Sequence, residues 1–283
     1  MKGREAVMRA VFWLTACVSG AAVLLICVFL LAGGLPAIGR IGWRAFLFGT
    51  DWEPERALYG IWPMIVGSLY VTAGAIAVGV PIGVLCAVFL ARFCPPPLYR
   101  LLYPAVQLLA GIPSVIYGLF GLTVLVPLIR RWTGTGGKGI LTASLLLGLM
   151  ILPTIVSTTE SALRAVPEAY YEGALALGAT RESGVFRVIL PAAGSGTLTG
   201  IVLGIGRAIG EAMAVYMVAG NQPLLPDSVL SGVRTLTANI VLEMGYASGL
   251  HRQALIATGV VLFVFILLIN GSVALLKTGR ERT

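Results

Sequence analysis

The stretch VFWLTACVSGAAVLLICVFLLA, residues 11–32, carries no charged side chain. A helix of that length rises about 33 Å, enough to cross the hydrocarbon core of a bilayer. The ten residues before it, MKGREAVMRA, are basic, as in a secretory leader. The apolar run is nevertheless longer than the usual leader core, and more such runs follow it. A retained first span is therefore expected, closed by Gly33, Gly34 and Pro36.

Working outward, apolar runs recur at about 61–90 (interrupted by Pro81), 101–129 (with Pro104, Gly111 and Pro113 as kinks), 140–158, 192–220 and 253–276. Between them lie a polar, aromatic loop at 37–60, with Trp43, Asp51, Trp52, Glu53 and Glu55, and a rigid turn at 92–100 built on Pro95, Pro96 and Pro97. A glycine-rich loop at 130–139, a charged loop at 159–191 and a polar loop after Gly220 complete the pattern. The loop at 159–191 reads as solvated, with Glu160, Arg164, Glu168, Glu172, Arg181, Glu182 and Arg187, yet helical in its Ala- and Leu-rich first half. The expectation is an all-α polytopic membrane protein of about six spans, one transmembrane domain over residues 1–283 with its core spans between 61 and 276.

Composition agrees. Of the residues, 58% are hydrophobic and 11% charged, too little charge to cover a soluble protein of this size. The net charge of +8 does not point to nucleic acid, because the 20 Lys and Arg are scattered through connecting segments. Basic loops beside anionic lipid explain them. Six spans put both termini on one side, with 11 Lys and Arg on that side, 8 on the other, and Arg207 within the membrane. That bias favours cytoplasmic termini, including the tail of Lys277, Arg280 and Arg282, but leaves orientation open.

Catalytic and metal chemistry find no support. Cys17, Cys27 and Cys86 fall in apolar runs, Cys94 adjoins Pro95, and His251 is the only histidine, so the cysteines read as small apolar side chains. The cluster GTGGKG, 134–139, is not a phosphate-binding loop: Trp132 stands at the first glycine position and Gly139 where Ser or Thr is required. No catalytic residue, metal ligand or resident cofactor is expected.

Two segments carry function. In EGALALGATRESGVFRVILP, 172–191, a short helix ends where Gly178 supplies a positive φ, and a second turn of helix leads to Pro191. This helix-turn-helix presents a polar face to another protein. In GIGRAIGEAMAVYMVAGN, 204–221, Arg207 falls near the bilayer midplane, and Glu211, four residues on, is expected on the same helix face as its ion-pair partner. An unpaired charge there costs roughly 3 kcal/mol or more, so the pair faces protein or water. It reads either as a structural lock or as part of a substrate path; the fork of an arginine suits an oxyanion. Gly196, Gly200 and Gly204, and likewise Gly206 and Gly210, form small-residue faces for helix packing.

The first segment resembles the EAA loop of ABC importer permeases. Glu172, Gly178, Leu190 and Pro191 match that pattern at its spacing, with Ala174 at the second Ala and Val188 for Ile, while Gly173 replaces the first Ala. The second segment, with GIPSVIYGLFG at 111–121, resembles the PstC-type permease subunits of phosphate-specific ABC importers. The resemblance implies a type I importer permease fold in a bacterial inner membrane, with the EAA loop and both termini cytoplasmic. It also implies partners: a PstA-type sister permease, a PstB-type ATPase dimer that binds the ATP, and a PstS-type periplasmic or lipid-anchored phosphate-binding protein. A permease for another oxyanion or small solute remains open, as do a stand-alone secondary transporter, for which no inverted repeat is evident, and a membrane sensor.

Overall fold

The computed structural model describes residues 2–280; Met1 and residues 281–283, Arg282 among them, lie outside the described residues, as do the side chains of Lys2, Arg4, Lys277 and Arg280. The chain opens with α1 (Lys2–Ile41) and α2 (Trp43–Phe48), then an antiparallel hairpin of β1 (Trp52–Glu53) and β2 (Leu58–Tyr59). α3 (Trp62–Val88) ends in a π-helical turn to Phe93, followed by α4 (Pro96–Gly111). α5 (Ser114–Phe120) and α6 (Val126–Thr133) are joined by a second π-helical turn, and α7 (Ile140–Ala165) follows. The charged segment folds as α8 (Glu168–Ala176), α9 (Arg181–Gly184), a third π-helical turn and α10 (Leu190–Ala192). α11 (Gly194–Gly210), α12 (Met213–Val218), α13 (Leu236–Glu243) and α14 (Gly249–Arg280) complete the order.

Five of the described helices, 7–41, 62–93, 114–133, 140–165 and 249–269, are long and apolar enough to cross a membrane. A sixth span results if 181–192 and 194–210, bent by 71° at Ala193, are taken together. Backbone groups in lipid must be satisfied within the segment, which is why helices make the crossing.

α7 is the central post, flanked by α3 and α11. Glycines set both approaches. A Cβ at Gly79 would lie 2.9 Å from the Gly148 carbonyl oxygen, and one at Gly204 3.0 Å from Ile155. The strip Gly196, Gly200, Gly204 packs on Ala162, Thr158 and Ile155, as its spacing predicted. A Cβ at Gly206 or Gly210 would meet nothing within 4 Å, so these two do not make the packing face that their spacing predicted.

Several boundaries move for physical reasons. α1 runs through Gly33, Gly34 and Pro36, because the two glycines let it lie against Ile256, Ala257 and Val260 of α14. The expected third span is broken at Ile112–Pro113, where both residues are extended. The fourth span continues to Ala165, so Glu160 and Arg164 are not in a solvated loop; Glu160 is 2% exposed. The loop after Gly220 contains α13, whose Leu236, Thr237, Asn239 and Glu243 are buried. Nor are the cysteines buried: Cys17 faces outward and the other three are half-buried.

Candidate coupling surface and membrane path

The segment 168–192 is a helix-turn-helix, as expected. Gly178 closes α8 with φ 86°, its N–H bonding the Leu175 carbonyl at 2.9 Å, while the Ala179 N–H reaches Ala174 at 3.0 Å. Thr180 then caps α9, its hydroxyl oxygen accepting the Ser183 N–H. Tyr171 and Ala174 face Gly184, where a Cβ would come within 3.1 Å of the tyrosine ring, so the two arms pack through a glycine that the spacing did not single out. Val185, Ile189 and the half-buried Leu190 fasten the segment to Val88, Leu90 and Leu163. Glu172, Gly173 and Pro191 remain exposed, and so does Leu177, at 92%. Tyr170 and Phe186 of the same segment are exposed as well, so it carries apolar side chains on its outer surface.

A charged knot holds the base of this segment. Arg92 Nη1 donates to Glu168 Oε2 at 2.7 Å, and its Nη2 to the Leu163 carbonyl at 2.9 Å. Glu160 is paired with Arg164, whose guanidinium stands 4.5 Å over the Tyr99 ring. The Tyr99 hydroxyl donates to Glu160 Oε1 at 3.0 Å. Burial, and then this hydrogen bond, push the Tyr99 phenol above its ordinary range. Placing Glu160 and Arg164 in a solvated loop, as the sequence reading does, misses this knot; their spacing of four at the end of an apolar helix is the signal that could have found it.

In the membrane, Arg207 sits on the last turn of α11, about 20 Å along it. It is half-buried and within electrostatic reach of the Tyr117 hydroxyl. The expected pairing with Glu211 is not made: the described residues show no such ion pair. α11 ends at Gly210, and the extended ψ of 126° at Glu211 redirects the chain that follows, bringing the Ala214 N–H within reach of its carboxylate. Its carboxylate accepts the Ala214 N–H at 3.1 Å, satisfying one of the free donors at the start of α12. The Thr237 hydroxyl of α13 donates to the Glu211 carbonyl at 2.9 Å, covering an acceptor that the break would leave bare.

The break in the third span lies alongside. The Tyr117 hydroxyl donates to the Leu109 carbonyl at 2.8 Å, bridging the gap between α4 and α5. Gly118 is pressed against α12: a Cβ there would stand 3.1 Å from Ala214 Cα. The stretch 111–121 thus closes on 204–221, and an apolar cleft of about 340 Å³ opens beside Tyr117, lined by Leu109, Ile112, Ile116, Phe120 and Leu149.

Comparison with known proteins agrees with this architecture. Residues 79–282 match the family described as binding-protein-dependent transport system inner membrane component. The chain belongs to that permease family. The permease is 40% identical over 261 residues, 88% of this chain and 84% of its relative, to the probable ABC transporter permease protein YqgH of Bacillus subtilis (strain 168). It is 36% identical over 265 residues to the phosphate transport system permease protein PstC of Mesorhizobium japonicum, covering 86% of this chain and 81% of that one. Among solved structures, the inward-facing MetNI methionine ABC transporter superposes with a TM-score of 0.62 at 22% identity, over 81% of this chain and 99% of that one. A bacterial alginate ABC transporter gives 0.60 at 17% identity, over 93% and 95%. These share the permease fold.

Proposed function

We propose that this permease is one of two membrane subunits of an ATP-driven importer for inorganic phosphate in a bacterial inner membrane. A PstA-type sister permease completes the path, and a PstS-type binding protein delivers phosphate from outside. A PstB-type ATPase dimer binds the ATP and docks on 168–192, through Glu172, Gly173, Ala174, Gly178 and the exposed Leu177; Leu190 and Pro191 join the dock to α11. The permease holds no nucleotide itself. Both termini and the dock face the cytoplasm.

The single observation that carries the substrate is the Arg207 guanidinium. It stands half-buried on the last turn of α11, free of the carboxylate expected to neutralise it. A planar fork of donors in low dielectric favours an oxyanion, and the phosphate permeases among the relatives support phosphate as that oxyanion. Contact must be brief, since a path needs a site that is favourable to enter and weak enough to leave. Glu211 contributes differently: bound to Ala214, it holds the break next to Arg207 and so fixes the mouth of the path.

The test is phosphate uptake by the reconstituted complex at equal protein content. Arg207→Gln is expected to abolish uptake while the ATPase stays bound, and Arg207→Lys to retain part of it. Wild-type uptake by Arg207→Gln would remove the arginine from the path, and uptake of sulfate in preference to phosphate would refute the substrate.

A further inference from the structure

α4, which leads to the break at Ile112–Pro113 just before the crossing helix 114–133, begins beside the dock's base. Four elements meet there in one charged cluster. α3 and its π-helical turn supply the Leu90 carbonyl and Arg92, α4 supplies Tyr99, α7 supplies Glu160, the Leu163 carbonyl and Arg164, and α8 supplies Glu168. We propose that Glu160 is a positioning residue for coupling: its buried carboxylate ties the end of α7 to the start of α4, and the Arg92–Glu168 pair ties α8 of the dock to the same corner, so that the three move as one body. Motion of the ATPase is then carried along α4 to the break at Ile112–Pro113.

The argument is electrostatic. Glu160 is 2% exposed and satisfied by Arg164 on its own helix and by the Tyr99 hydroxyl from α4. Withdrawing α4 would leave that carboxylate short of a donor where water does not replace it, and a buried charge deprived of a partner is strongly unfavourable. Arg164 also bonds the Leu90 carbonyl at 3.3 Å and covers the Tyr99 ring, so sliding α4 breaks two contacts at once. On the other side Arg92 holds Glu168, the first residue of α8, and the Leu163 carbonyl of α7. α8 therefore cannot tilt without pulling on α3 and α7. At the far end of α4, the Leu109 carbonyl is held by Tyr117, the residue within electrostatic reach of Arg207. An unbroken set of contacts thus joins the dock to the helix break beside the path.

This inference rests on reading 168–192 as the ATPase dock, and the experiment separates the two. The complete complex, reconstituted in proteoliposomes with inorganic phosphate outside and ATP inside, is assayed for phosphate carried per ATP hydrolysed. Glu160→Gln is expected to keep its ATPase bound and hydrolysing, but to carry at least about threefold less phosphate per ATP. Tyr99→Phe, which keeps the ring under Arg164 and loses only the hydroxyl, should shift the ratio the same way by a smaller factor. It serves as the reading if Glu160→Gln fails to assemble. A wild-type ratio in Tyr99→Phe and in any assembled Glu160→Gln overturns the joint. Glu172→Lys is run in parallel. If it still binds the ATPase, the dock reading itself has failed; if it does not, a normal ratio in the other variants refutes the joint alone.

Discussion

Glu243→Ala should destabilise this permease more than any other single loss of a carboxylate at the hairpin end of the bundle. Its side chain, 7% exposed, accepts from Arg234 at 2.6 Å, from the Trp52 indole at 2.8 Å, and bonds His251 at 2.8 Å. Truncation strands a guanidinium that is itself only 11% exposed. Breaking a buried pair by removing one partner costs about 3–5 kcal/mol. Arg234 keeps two acceptors, the Asn239 side chain and the Asn221 carbonyl, both at 3.0 Å, which places the expected loss near the lower end, about 3 kcal/mol. Trp52→Phe, which removes one neutral donor and keeps the ring, should cost about 1 kcal/mol. Melting of the purified protein in detergent is the assay, and Glu243→Ala is expected to lower the midpoint by roughly 5 °C or more. Combined with Trp52→Phe, the losses should fall short of additive, since the indole donor has no acceptor once Glu243 is gone. A loss below about 0.5 kcal/mol, the range of ordinary surface changes, would refute the reading of Glu243 as the tie between hairpin, α13 and α14.

Three other tests address the coupling surface, packing and orientation. Gly178→Val forces a β-branched residue to φ 86°, a strain of about 1–2 kcal/mol, and should strip the ATPase from the complex while the subunit still inserts; normal copurification would count against the turn's role. Gly79→Ala, whose Cβ would press on the Gly148 carbonyl, should cost about 1–3 kcal/mol in melting experiments, whereas Gly206→Ala, with open space around it, should not lower the melting point of the isolated subunit. In a background without its four cysteines, Arg181→Cys should react with reagent only from the cytoplasm and Thr135→Cys only from outside; the reverse pattern would invert the topology.

How much of this was legible from the residues depends on what each feature answers to. Lipid imposes its demand on every residue of a span, so the apolar runs betrayed their helices, and the turn at Gly178 was readable because one residue sets it. The helix breaks at Ile112–Pro113 and after Gly210 were a different matter. A helix ends inside a bilayer only where distant groups take over its free carbonyls and amides. Here Thr237, 26 residues from Glu211 and in what looked like an external loop, covers the Glu211 carbonyl, and Tyr117 covers Leu109 across Pro113. Periodicity carried past Gly210 placed Glu211 beside Arg207, when the carboxylate had turned to Ala214 instead. The same blindness hid Glu160 and Glu243, since a carboxylate in a charged stretch looks solvated until its donors on other helices are known. Much of what sequence alone misses in this permease is therefore backbone and carboxylate groups whose partners are long-range. The proposed joint at Glu160 and Tyr99 is drawn from such groups, because a contact that transmits motion between two elements has to be made by residues from both.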